Sequence, residues 1–389
     1  MDLLDFATDR QREIYLVVQR LGSNNKAAIE LGLNRRTVDG IMASLKSKAA
    51  KGGWSPEHDL THVAAPGFNI KGTSTLYDSD GNLKIQWVKT DRERENDEER
   101  LEYIKEVAES FKYTKINIKP PKGTDEDLLN IFPWGDPHFG LLSWPDELGE
   151  DYNLQIAADI HRAAMTDLLS TAPKAKTALL LNLGDYFHFE DDRNQSRSGH
   201  SLDGDGRAHK VFQIGYHCML DAVCMLLQTH EKVIVRSNPG NHDKYATMHM
   251  SICMAAHFEG DDRVQIEAQP SYHWAMKFGR VGLGSTHGDT IKPQKFGEVI
   301  LTDYRDFIAD TDYFYVYGGH VHHEESKEYG GYRYESFPTM AGRSVYEHEG
   351  GHRSRRLMFR ITIHKTDGED SRNSTNCKRL ERLGLMPKG

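Results

Sequence analysis

The chain has 389 residues, 38% of them hydrophobic and 28% charged, with a formal net charge of −9. That length exceeds what one hydrophobic core usually organises, so two or three units are expected. The composition is that of a globular chain in which no apolar run approaches the roughly 20 residues a bilayer crossing needs, and its acidity leaves any nucleic-acid contact to local patches.

The opening MDLLDFATDRQRE mixes acids with bases and has no signal-type apolar region, so the cytoplasm is the expected compartment. Cys218, Cys224, Cys253 and Cys377 form no C-x-x-C pair and read as buried small apolar residues. Twenty histidines against five tryptophans, several of them beside Asp, Asn or Gly, ask for a chemical explanation.

Residues 1–51 read as a small all-helical domain. Within NNKAAIELGLNRRTVDGIMASLKSKA, a short helix around Lys26 to Leu31 is followed by a turn at Gly32 and Leu33 and a second helix from about Asn34 to Lys48. Ala28, Leu31, Leu33, Val38, Ile41 and Leu45 then share one face, and Arg35, Arg36 and Thr37 stand outward at the start of the second helix. The pattern resembles the helix-turn-helix of many DNA-binding proteins, whose second helix enters the major groove. That resemblance implies DNA contact through Arg35, Arg36 and Thr37, with Lys46, Lys48 and Lys51 adding phosphate-neutralising charge. A helical hairpin packed on a partner is the alternative.

Residues 52–127 read as a linker arm. GTSTLYDSDGNLKIQWVKT alternates about Asp80-Gly81, a hairpin signal, and DRERENDEERLEYIKEVAESF follows as a charge-laced helix with a solvated face. KPPKGTDED marks the boundary.

From 128 to 366 strands and helices alternate. LLNIFPWG, TALLLNLG and KVIVRSNPG read as strands, separated by helices from Tyr152 to Leu169 and from Arg207 to His230. A helix from Tyr245 to Phe258, paired strands in HWAMKFGRVGLGST, a helix from Glu298 to Ala309, the strand YFYVYGG, a Gly330-Gly331 hairpin and the strand RLMFRITIHK complete the run. Such alternation predicts an α/β layered domain with its site at the carboxyl ends of strands. Residues 367–389 are polar and predicted to be a flexible tail.

Each of five strand ends carries possible metal ligands: GDPHFG (Asp136, His138), GDYFH (Asp185, His188), GNHDK (Asn241, His242, Asp243), THGD (His287, Asp289) and GGHVHH (His320, His322). Carboxylate, amide oxygen and imidazole together suit divalent manganese, iron or zinc and disfavour copper(I). In D-x-H and H-x-H, residues two apart point the same way if the backbone stays extended, so both members of a pair can reach one ion.

This ordered set, D-x-H, G-D, G-N-H-D, H and G-H-x-H, resembles the calcineurin-like metallophosphoesterases. The resemblance implies a layered metallophosphoesterase sandwich, two central mixed β-sheets flanked by helices. It implies one ion held by Asp136, His138, Asp185 and His322 and a second by Asp185, Asn241, His287 and His320, with Asp185 shared and His323 outside. Two divalent ions, manganese first with iron or zinc as alternatives, would clamp a phosphate and activate a water for in-line attack. His242 is implied as the acid or transition-state stabiliser. His188 stands where phosphatases and cyclic-nucleotide phosphodiesterases usually carry Asp, and so resembles the double-strand-break repair nuclease branch, in which a second non-ligand histidine handles DNA.

The long polar loop FEDDRNQSRSGHSLDGDGR reads as a substrate wall. Arg193, Arg197, His200 and Arg207 are its candidate phosphate contacts, and Asp191, Asp192, Asp203 and Asp205 are set alternatively to pair with them and fix the loop. A helix-turn-helix ahead of such a domain resembles the layout of phage and prophage proteins.

The resulting expectation is a hydrolase, a metal-dependent DNA phosphodiesterase or nuclease, delivered to DNA by the N-terminal helices. A phosphatase or small-nucleotide phosphodiesterase with the same centre is the alternative, and a DNA-binding regulator with an inert phosphoesterase domain is a third. DNA is the expected partner, without a membrane. A homodimer is compatible with paired half-sites, and the compartment is the host cytoplasm if the chain is phage-encoded.

Overall fold

The computed structural model describes residues 3–51, 68–77, 83–92, 118–196, 199 and 201–387. Two compact units divide the chain, Met1–Tyr103 and Ile104–Gly389, a division that falls inside the segment expected as a linker arm.

In the first unit, α1 (Asp9–Leu21), α2 (Asn24–Glu30) and α3 (Arg35–Lys51) pack through Ile14, Ala28, Val38 and Met42, with Leu31, Leu33 and Ile41 against them. Leu45 joins Leu3 and Ala49 in an adjoining cluster. The predicted apolar face is therefore the packed one, with both helices longer than expected. The Asn34 side chain accepts the Arg36 backbone N–H at 2.9 Å, opening α3 as a cap does. β1 (Phe68–Tyr77) and β2 (Leu83–Arg92) pair antiparallel as the expected hairpin. Its Asp80-Gly81 turn and most of the charged helix predicted after it lie outside the described residues, while Asp91 and Arg92 belong to β2.

The second unit is the expected α/β sandwich of two mixed sheets flanked by helices. Its six-stranded sheet runs β13-β12-β3-β4-β5-β6, built from β3 (Asp125–Trp134), β4 (Ala175–Asn182), β5 (Lys232–Ser237), β6 (Val264–Glu267), β12 (Leu357–His364) and β13 (Gly368–Asn376). β3 to β6 are parallel, and β12 and β13 add antiparallel partners. The five-stranded sheet runs β10-β11-β9-β8-β7, built from β7 (His273–Phe278), β8 (Val281–Thr286), β9 (Tyr313–Gly318), β10 (Glu325–Tyr329) and β11 (Tyr332–Ser336).

The two-residue period of the strands assigns the layers. Leu129 and Ile131 of β3, Leu179 and Leu181 of β4 and Tyr315 and Tyr317 of β9 meet between the sheets. The alternate residues Phe132, Trp134, Ala178 and Leu180 pack under α4 (Leu154–Ser170), α5 (Ala208–Thr229) and α6 (Lys244–His257). On the far side, Phe314 and Val316 meet Phe296 and Ile300 of α7 (Pro293–Asp303). Strands buried on both faces read as continuous apolar runs, which is why they were legible. Each fully buried large side chain stabilises this stack by about 1.5–3 kcal/mol.

Three expectations are corrected. The tail from 367 is ordered: β13 pairs with β12 along its length and leads into α9 (Cys377–Arg382). An edge strand keeps polar residues, and here charges replace apolar burial: Arg372 binds Glu335 and Glu369, and Arg379 binds both oxygens of Asp167 at 2.6 and 2.9 Å. α5 is long and apolar enough by length and composition to cross a bilayer, contrary to the reading that no run approached that. Nine of its residues, from Val211 to Leu227, are buried in the core instead. β6 was not foreseen, because VQIE is too short to show a period.

Candidate metal centre

β3, β4, β5, β8 and β9 each end a few residues before, or directly at, a candidate ligand. The backbone then turns sharply. Asp136 (φ 46°), His138 (46°), Asp185 (48°), His320 (71°) and His322 (56°) all enter the left-handed region. Seven non-glycine residues are found there among the described residues, and these five are all candidate ligands. Asp and His tolerate that region better than most side chains, but each such residue still costs on the order of 1–3 kcal/mol. The expectation that each pair shares one side of an extended strand is thus corrected. Because the chain curls at both members of each pair, Asp136 and His138 meet in one group while His320 and His322 go to different ones.

Two glycines allow the loops to close on the carboxylates. A Cβ at Gly240 would lie 2.0 Å from Asp185 Oδ1, and one at Gly319 would lie 2.8 Å from Asp136 Oδ2. Without side chains there, GNHD lies against Asp185 and GGHVHH against Asp136. Both Asp136 oxygens accept the His320 N–H, at 2.9 and 3.0 Å.

The possible ligand atoms form three groups among the described residues: His138, His188 and His242 make one, which shares His138 with a second, and the other two carry the expected ligands. Asp136, His138 and His322 offer atoms within 4.8 Å of one another, and Asp185, His287 and His320 do the same. In the former, His138 Nε2 lies 3.1 Å from His322 Nε2 and Asp136 Oδ1 lies 3.7 Å from His322 Nε2. In the latter, His287 Nε2 lies 3.2 Å from Asp185 Oδ2 and 3.1 Å from Asn241 Oδ1. Asp136 and Asp185 are buried, so two carboxylates face a common interior.

Electrostatics shows how much positive charge this interior draws in. Burial opposes the Asp185 carboxylate, yet His287, His242 and His138 outweigh burial and hold it well below the usual range. Asp136 is raised, because burial exceeds what His322 and His287 return. Burial also opposes protonation of His287 and His322, but Asp185 lifts the first to about 10 and Asp136 with Glu347 lifts the second to about 9. Burial, then His242, His322 and His188, push His138 well below the ordinary imidazole value. Two carboxylates, an amide oxygen and four imidazoles brought this close fit divalent first-row ions.

His242 is held at both ends. Its backbone N–H reaches Asp185 Oδ1 at 2.8 Å, and its Nδ1–H donates to the His188 carbonyl at 2.8 Å. His188, expected to meet the substrate, is 3% exposed. Its Nδ1 sits 3.2 Å from His138 Nδ1 and its ring stacks on His242 at 5.3 Å, so it acts on these two rings first. Asp243 supports the loop, accepting the N–H groups of Phe187 and Gly240 at 2.9 and 3.1 Å. His323 turns onto the Val321 carbonyl, outside all three groups.

The proposed substrate wall is less informative. Arg193 pairs with Asp191, and Arg207 is exposed at the start of α5, while Arg197 and His200 lie outside the described residues. Asp192 and Asp205 bind backbone N–H groups of Ala208 and Leu154, at 2.9 and 2.7 Å, which fixes the loop by capping rather than through the arginines. In the first unit Arg35, Arg36 and Thr37 are exposed, with Arg35 3.5 Å from Asp39.

Sequence reasoning missed Glu347, whose Oε1 meets His322 Nδ1 at 2.7 Å. It lies on α8 (Val345–Glu349), whose signal in the sequence is the Ser344-x-x-Glu347 capping box. That pattern announces a helix start and says nothing about a neighbouring histidine.

No family model and no curated protein matches the chain. Among solved structures it is similar to a protein of Streptococcus pneumoniae TIGR4 described as a predicted phosphoesterase, at 11% identity and a TM-score of 0.27, covering 64% of this chain and 97% of that one. It is also similar to Vps29 of Entamoeba histolytica complexed with zinc, at 13% identity and a TM-score of 0.26, covering 63% and 98%. A 5'-nucleotidase of Candida albicans is similar at 12% identity and a TM-score of 0.32, covering 69% of this chain and 56% of that one.

Proposed function

We propose that the chain is a metal-dependent phosphodiesterase that cleaves DNA. One observation carries the reading: Asp136, His138, Asp185, Asn241, His287, His320 and His322, delivered by five strand ends, meet beside His242, which this assignment does not use as a ligand. Asp136, His138 and His322 would hold one ion, Asn241, His287 and His320 the other, and Asp185 both. Manganese, iron and zinc all suit this donor set. When bound, such ions supply Lewis acidity toward a phosphate and a water acidic enough to attack near neutral pH.

The remaining work falls to the chain's own residues. Because His242 Nδ1 is committed to a carbonyl, only its Nε2 is left to donate to the departing alkoxide or to the charge building on phosphate. His188 fixes His242 through that carbonyl and through the stacked ring. A polymeric substrate is favoured by the surface near His322, where Tyr346 of α8 is 77% exposed with its ring stacked on His352 at 6.0 Å, and Arg353, whose Nη1 donates to the Glu347 carbonyl at 3.2 Å, is exposed. Exposed aromatic rings and guanidinium groups are how proteins track unpaired strands. Arg35, Arg36 and Thr37 would supply a separate DNA contact.

The test is direct. The protein is incubated with manganese and, separately, labelled single-stranded DNA, duplex DNA, mononucleotides and an aryl phosphodiester. Cleavage of DNA and of the aryl diester is expected. Turnover confined to mononucleotides or monoesters would instead establish the phosphatase or small-nucleotide alternative, and no turnover of any of them would leave the inert regulator.

A further inference from the structure

A ligand imidazole binds an ion through one nitrogen and must dispose of the N–H on the other, and the acceptor chosen there tunes its donor strength. Three candidate ligands here have different acceptors. His287 Nδ1 faces the Leu183 carbonyl at 2.9 Å, His138 Nδ1 faces another imidazole, His188, at 3.2 Å, and His322 Nδ1 faces a carboxylate, Glu347, at 2.7 Å.

Glu347 is anchored on both oxygens. Oε1 takes His322, while Oε2 takes the backbone N–H and the hydroxyl of Ser344 at 2.8 and 2.9 Å. Ser344 Oγ in turn accepts the Glu347 N–H at 3.2 Å, and the Glu347 carbonyl receives the His352 N–H at 2.9 Å. The carboxylate is therefore locked in place by a helix cap, with its side chain 13% exposed. Ordinarily a capping box serves only its own helix. Here half of the capping carboxylate is turned outward onto a residue 25 positions earlier in the chain.

We propose that Glu347 is a positioning residue that makes the two halves of the metal centre unequal, strengthening the ion held by Asp136, His138 and His322 over the one held by Asn241, His287 and His320. Rooted in the dinuclear reading above, it adds an order of occupancy. With Nδ1–H donated to a carboxylate, His322 has its Nε2 lone pair fixed toward Asp136 and His138, and the negative charge behind the ring makes that nitrogen a better donor. Backing from a neutral carbonyl gives His287 less. Loss of such a partner costs about 10–100-fold in metal affinity, and that loss should fall on one ion alone.

The experiment titrates metal-free full-length protein with cobalt(II), followed by calorimetry and by the visible absorption of the bound ion, for the wild type and for Glu347→Gln, Glu347→Ala and Ser344→Ala. The wild type is expected to take up two equivalents. Glu347→Gln, which keeps the shape but not the charge, and Glu347→Ala should weaken the tighter equivalent roughly tenfold or more while leaving the other within twofold, with one component of the cobalt spectrum altered. Ser344→Ala removes the capping hydroxyl but keeps the Ser344 N–H on Oε2, so it should weaken the tighter equivalent less than either Glu347 variant does. Unchanged titrations in both Glu347 variants would overturn the proposal, and so would equal weakening of both equivalents, which is the mark of a structural role. A wild-type protein that binds no cobalt would defeat the dinuclear reading itself. Should Glu347→Ala fail to fold, the isosteric Glu347→Gln carries the measurement.

Discussion

Asp185 Oδ1 accepts the backbone N–H of His242 at 2.8 Å, while its other oxygen lies 3.2 Å from His287 Nε2. One carboxylate therefore links the group proposed to donate a proton to the cluster proposed to hold the ions. Asp185→Asn should uncouple them: metal content falls from two equivalents to one or none, and turnover drops by roughly 10²-fold or more, since several kcal/mol of charge stabilisation goes with it. Metal analysis beside steady-state rates checks this, and a fully loaded Asp185→Asn protein would count against the shared-ligand role.

His242 separates binding from chemistry. Its ring hangs on the His188 carbonyl and serves no ion in the proposed assignment. His242→Asn should lower turnover of an aryl phosphodiester by roughly 10²–10⁴-fold with both ions retained. Simultaneous loss of metal and activity would make His242 a ligand instead.

Gly240 tests the packing. Because a Cβ there would fall 2.0 Å from Asp185 Oδ1, Gly240→Ala must displace either the GNHD loop or the carboxylate. Overpacking of this kind costs about 1–3 kcal/mol, so both the melting temperature and the metal content should fall. A variant that melts and binds metal like the wild type would show that the two loops do not meet as described.

Acid sensitivity follows from a histidine that belongs to none of the ligand groups. His161 is 1% exposed, donates Nδ1–H to the Ala157 carbonyl at 2.7 Å and packs on Trp134 and Phe139. Burial takes it from the ordinary 6.5 down to about 4. The unfolded chain therefore binds this proton first, so stability is unaffected above about 6.5 and falls as pH drops from there toward 4. At about 1.4 kcal/mol per pH unit, the penalty is bounded at roughly 3 kcal/mol. Urea unfolding at pH 7, 5.5 and 4.5 should show the decline, and His161→Gln should flatten part of it. An equal decline in the variant would assign the acid sensitivity to other groups.

The N-terminal helices carry their own prediction. Arg35→Ala with Arg36→Ala should weaken DNA binding and reduce the salt slope by about one for each phosphate no longer neutralised. Unchanged affinity and slope would return α3 to a packing role.

The candidate ligands stand out in the sequence because Asp, Asn and His follow immediately after strands, and the strands were legible because burial on both faces leaves runs such as ALLLN. Less could be read where structure depends on partners distant in the chain. No local pattern shows that Asp136 and His322 curl into left-handed backbone, since the need for it comes from loops packing on each other. Glu347 looked like a helix cap because half of it is one. GEDSRNSTN looked like a tail because its hydrogen bonds and ion pairs, unlike apolar contacts, leave no hydrophobic period.

The central claim is that two neighbouring cations occupy one site built around Asp185. Anomalous diffraction from crystals grown with manganese measures this most directly. The account predicts two peaks about 3.5–4 Å apart, both within coordination distance of Asp185, one beside His138 and His322 and the other beside His287 and His320. The absence of a peak at Asp185, or a single ion bound elsewhere, would contradict it.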